Sequence, residues 1–262
     1  IRTTNMPGGI GAVAYNTIQA NRADDPNVII AVSTGSWVNL AQGKFGRFTE
    51  NDVRWLGAVG ADYGVLAVRK DSRFQTLEDF VAALKEDAGS VPIGAGGTVG
   101  SQDWMKPALV ARAAGVDPRQ MRYLSYEGGG EALAAILGAQ VAAGISGYGE
   151  FESQIAAGTL RLLAVSTENR IEGVDAPTLK EAGYDVVLEN WRMVSAAPGI
   201  TPEQAAAITA DIEKMVQSPE WKETLERNNW QDTFLAGDAF KQQLAADTEN
   251  TREILTKIGL VK

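Results

Sequence analysis

Apolar positions along the chain fall into two periods. The runs Val28-Ile29-Ile30-Ala31-Val32 and Val141-Ala142-Ala143-Gly144-Ile145 are continuous and of strand length, as in strands covered on both faces. Val53 to Val59, Tyr63 to Val68, Met121 to Tyr126 and Leu160 to Val165 read as further strands. Asp185 to Leu188 and Trp191 to Ala196 read as extended. Between them the pattern turns helical, over Ala12 to Asn21, Leu77 to Glu86, Gln102 to Ala114, Glu131 to Leu137 and Glu150 to Ala157. Thr76 with Asp79 forms an approximate capping box, and Pro107 sits within the Gln102 to Ala114 pattern. The tail is helical: Thr201-Pro202-Glu203-Gln204 combines cap, first-turn proline and capping-box glutamine, Ser218-Pro219-Glu220 repeats it, and Gly237-Asp238 opens a helix to Lys257. Asn39 to Asn51 reads as irregular, and Asp175 to Gly183 as a turn with one short helix. Alternating strands and helices predict an α/β protein with mostly parallel sheets.

In such sheets ligands sit beyond the carboxyl ends of strands. Three Ser/Thr/Gly loops fall there. The richest is Ile93-Gly94-Ala95-Gly96-Gly97-Thr98-Val99-Gly100-Ser101-Gln102-Asp103, a strand end, a glycine turn and a helix start. Amides at a helix N-terminus, with the dipole behind them, bind an anion without lysine or arginine. Gly97, Thr98, Gly100, Ser101 and Gln102 are therefore candidate ligand contacts, beside the plain reading of a glycine-rich turn. Ser33, Thr34, Gly35 and Ser36 form a second candidate loop, equally readable as ordinary loop hydroxyls. Ser146, Gly147 and Tyr148 form a third, with Tyr148 alone more often a core residue. Glu127, Glu131 and Glu150 lack metal-ligand spacing and read as scattered surface carboxylates.

Composition narrows the chemistry. The chain has 262 residues, of which 45% are hydrophobic and 22% charged, enough for a sizeable core. A net charge of −9 argues against nucleic acid and anionic membranes as partners, yet permits a small anion held by local dipoles. Cysteine and histidine are both missing, which excludes thiolate and Ser-His-Asp chemistry and ordinary zinc sites. No catalytic residue, metal or cofactor is called for. No stretch approaches the roughly 18 apolar residues of a membrane span. The opening Ile1-Arg2-Thr3-Thr4-Asn5 reads like the end of a strand, so further residues are expected upstream.

Several segments, in order, resemble the substrate-binding receptors of tripartite tricarboxylate transporters, the Bug receptors, and within them the tricarboxylate type. They are Asn5 to Ala12, Asp71 to Phe80, Gly96 to Gln102, Tyr126 to Leu133, Leu137 to Val141, Leu160 to Ser166, Ala176 to Gly183 and Ala196 to Gly199. Two departures stand out: Asp103 where histidine is usual, and Ser146 where many members carry aspartate. The family's first strand and its loop also have no counterpart. The resemblance implies a two-lobed periplasmic-binding-protein-like α/β fold, each lobe a mostly parallel sheet flanked by helices, with ligand in the cleft between lobes. Lobe one would hold residues 1–92 and 198–262, and lobe two 93–197, with crossings near Val91 and within Trp191 to Ala197. It further implies a periplasmic, monomeric binding protein, its signal peptide removed, that captures citrate or a related tri- or dicarboxylate for membrane permease subunits. A ligand-sensing domain or a C4-dicarboxylate receptor is the alternative, and an enzyme on a similar scaffold a weaker one.

Overall fold

The structure, a computed structural model, describes residues 2–6, 8, 11–257 and 259. Pro7, Gly9 and Ile10 of the Asn5 to Ala12 segment lie outside the described residues. The order is α1 (Ala12–Asn21), β1 (Ile29–Ser33), α2 (Thr34–Ala41), β2 (Arg54–Arg69), α3 (Leu77–Asp87), β3 (Ile93–Gly96), α4 (Gln102–Ala113), β4 (Tyr123–Tyr126) and α5 (Gly129–Leu137). Then follow β5 (Ala143–Gly147), α6 (Tyr148–Ala156), β6 (Leu160–Val165), β7 (Glu189–Ala196), α7 (Pro202–Val216), α8 (Pro219–Asn228), β8 (Leu235–Ala236) and α9 (Gly237–Lys257).

The chain packs as two compact units, Ile1–Ala61 with Trp191–Lys262, and Asp62–Asn190. The first crossing therefore lies inside β2 at Ala61–Asp62 rather than near Val91, and the second lies in β7 at Asn190–Trp191. Residues 62–92, expected with lobe one, pack in the second unit, where the second half of β2 pairs with β5 and β6. The sequence reading split that strand after Val59, at Gly60-Ala61-Asp62. The glycine serves close packing instead of a turn: a side chain at Gly60 would lie 3.1 Å from the Gln231 carbonyl and from Leu225. Ala61 exchanges backbone hydrogen bonds with Gln231 at 3.1 and 2.7 Å.

In the first unit, β1 pairs antiparallel with β7, from Ile29↔Ala196 to Ser33↔Arg192, and β2 pairs antiparallel with β8 at Gly57–Ala58. Its core joins Ile18 of α1, Leu56 and Val59 of β2, Val194 and Ala196 of β7, and Ile212 and Val216 of α7. Helix α2 occupies part of the stretch expected to be irregular. Gly35 and Asn39 are poor helix formers, but Trp37, Val38 and Leu40 are buried along it and packing decides.

In the second unit the strand order is β6-β2-β5-β3-β4. Strands β5, β3 and β4 run parallel, and β2 is antiparallel to both β5 and β6. Tyr63, Val65 and Ala67 of β2, Ala135 and Ile136 of α5, Phe151 of α6 and Leu160 of β6 form its core. The Thr76–Asp79 capping box at α3 is present in full, whereas Leu179 to Gly183 forms a turn rather than a short helix. The parallel strands deliver three helix N-termini to one sheet edge: α4 follows β3, α5 follows β4 and α6 follows β5.

Gly144 sits in β5 between its neighbours, and the Ile136 side chain fills the place its own would take. Gly144→Val is expected to lower stability by about 1–3 kcal/mol through overpacking. A urea midpoint equal to wild type would contradict this packing.

Candidate ligand site

The α4 turn is built from the strand end outward. Gly97 and Gly100 have φ of 76° and 84°, left-handed values that side chains disfavour. Ser101 is the N-cap: its Oγ accepts from Trp104 N at 3.2 Å and donates to the Gly96 carbonyl at 3.2 Å. From β4, the Tyr123 hydroxyl donates to the Gly96 and Gly97 carbonyls at 3.1 and 3.0 Å, and Ser125 donates to that of Gly97 at 2.8 Å. Burial pushes the Tyr123 phenol well up, so it stays a donor. A trans peptide sets each N–H opposite the preceding carbonyl. Fixing the Gly97 carbonyl toward β4 thus aims the Thr98 N–H away from it. The first-turn N–H groups of α4 are those that a helix leaves without intrahelical partners. Thr98 is exposed, and Gln102 is buried with its Nε2 donating to the Glu189 carbonyl at 2.8 Å. Gln102 therefore braces the turn through its side chain.

Two charges stand behind this turn. Lys106, only 5% exposed, pairs with Asp103 at 2.8 Å, and its stem fills the place of a side chain at Gly64. Asp103 is thus a first-turn acid on α4 tied to the buried lysine below it.

At the end of β5, Ser146 is 1% exposed and its hydroxyl donates to the Glu150 carboxylate. Gly147 caps α6, and the buried Asp62 carboxylate occupies its side-chain place. Tyr148 is the first residue of α6, two positions earlier than the pattern placed that helix, and stacks on Tyr63 at 5.2 Å. It packs against the core of this unit.

Gly97, Thr98, Gly100, Ser101 and Gln102 thus share one sheet edge with Ser146, Gly147 and Tyr148, since β3 and β5 are parallel neighbours. Ser33, Thr34, Gly35 and Ser36 belong to the first unit, where they end β1 and open α2. There the Thr34 hydroxyl accepts from Trp191 N at 2.8 Å, and Ser36 Oγ lies 3.4 Å from a side chain built on Gly11. Sequence reasoning missed Lys106, Tyr123 and Ser125, which carry no motif, and set Glu150 aside as a surface acid. The (i, i+4) spacing of Ser146 and Glu150 was the available signal. Among the described residues no group of three or more acids could hold a metal ion, and no helix is long and apolar enough to cross a membrane.

The profile of the tripartite tricarboxylate transporter family receptor (TctC) matches residues 3–260. The chain belongs to this family. A Cupriavidus necator protein encoded in the gbd 5′ region is 25% identical over 208 residues, 79% of this chain and 62% of that protein; the receptor thus spans under two thirds of that relative. A TctC solute-binding protein from Polaromonas, solved without ligand, is 26% identical with a TM-score of 0.76, covering 97% of the receptor and 86% of that chain. A Rhodopseudomonas palustris protein solved with adipate reaches a TM-score of 0.84 at 18% identity, covering 97% and 85%, a likeness of fold. The two-lobed binding-protein fold read from the sequence is the fold of these relatives.

Ser101→Ala is expected to lower the receptor's stability by about 1 kcal/mol, the usual cost of an N-cap. Urea denaturation checks this, and an unchanged midpoint would mean that the cap does not hold the turn.

Proposed function

We propose that the receptor is a periplasmic solute-binding protein that captures a small organic carboxylate and hands it to the permease subunits of a tripartite tricarboxylate transporter. The observation that carries this is the α4 turn: left-handed glycines, a capping serine and carbonyls pinned from β4, which leave first-turn amides for an anion. Family membership supports the transport role, and the adipate carried by a relative of the same fold supports the carboxylate class. Citrate and related di- and tricarboxylates enter the test from the sequence resemblance. The reading is of a monomeric receptor, and the lack of histidine and cysteine argues against nucleophile-base catalysis in it.

A thermal-shift panel of mono-, di- and tricarboxylates tests it. A carboxylate at 100 times its Kd adds about 2.7 kcal/mol and raises Tm, where chloride at equal ionic strength does not. A panel in which no carboxylate moves Tm would overturn the reading.

A further inference from the structure

The inference rests on the carboxylate reading above and narrows it. The end of β5 already holds an anion of the protein's own. Ser146, almost wholly buried, points its hydroxyl at the Glu150 carboxylate. That carboxylate occupies the place a side chain on Gly129 would take, at the first residue of α5. Gly128 caps α5 without a side chain of its own; Glu131 of the first turn accepts from Glu127 N at 3.1 Å, and Glu150 reaches the place beside Gly129 from α6. A buried hydroxyl next to a helix N-terminus favours negative charge, and here Glu150 supplies it.

The surrounding charge points the same way. Asp62 is buried beside Gly147 on the same edge, and Asp103 stands in the first turn of α4. Lys106 is the only buried cation among the described residues, and Asp103 holds it. A second carboxylate brought to the β5–α6 corner would meet the exposed Glu150 and the buried Asp62, and like charges within a few ångströms repel.

We propose that Glu150 determines the charge class of the ligand. It fills the anion position at the α5 N-terminus, so the ligand presents one carboxylate, to the α4 turn, and an uncharged end to the β5–α6 corner. The preferred ligands are monocarboxylates, and tricarboxylates are disfavoured.

Butyrate and succinate have the same carbon count and differ in one carboxylate. Calorimetric titration of both into wild type and Glu150→Gln reads the ratio of their affinities. Wild type is expected to favour butyrate, and the variant to shift the ratio toward succinate by about tenfold or more. Glu150→Ala, at the same exposed position, is the second variant, and melting temperatures verify that both fold. A wild-type preference for succinate, or a ratio unmoved in both variants, would overturn the inference and leave the carboxylate receptor standing. Failure of both anions to bind any of the three proteins would overturn this inference, and the carboxylate reading falls with it only where the thermal-shift panel also holds no carboxylate that raises Tm.

Discussion

The Gly96 and Gly97 carbonyls, held from one side by Tyr123, Ser125 and Ser101, are the constraint on which the proposed site depends. Peptide planarity makes that constraint directional. With the carbonyls turned toward β4 and the Ser101 cap, the turn presents N–H groups elsewhere, and two left-handed glycines let the backbone take that path. The parallel pairing of β4, β3 and β5 then sets this turn beside the starts of α5 and α6. The proposed anion site would arise from backbone geometry, which suits a chain whose net charge is −9.

Side-chain charge then modulates what the backbone offers. The Asp103–Lys106 pair places an acid in the first turn of α4 and confines the buried lysine below it. Glu150 and Asp62 add carboxylates at the β5 end of the same edge. In the proposed site, dipoles attract an anion at one end of this edge while fixed acids resist a second at the other. This polarity distinguishes the site from a general basic patch, in which affinity would rise with every added ligand charge.

Much of this was legible in the residues. The α3 capping box, the α4 start at Gln102 and the tail helices follow from local cap chemistry, which acts within a turn and needs no tertiary context. The failures share a cause. Gly60 looked like a strand break and is a packing contact with Gln231, which lies far along the chain. Helix α2 contradicts the propensity of Gly35 and Asn39 because Trp37, Val38 and Leu40 are buried. In the site, the glycines and hydroxyls were visible as a motif, whereas Tyr123, Ser125 and Lys106 act through contacts that no local pattern encodes. Glu150 looked like a solvated acid until the fold set it against Ser146 and α5.

The central claim is that α4 turn amides hold the ligand carboxylate. Assigned amide proton–nitrogen NMR spectra during titration with a carboxylate that raises Tm test it most directly. The account predicts that the largest shift changes fall on the amides of Thr98, Val99, Gln102 and Asp103. Saturation with those amides unmoved, while changes cluster elsewhere, would contradict it.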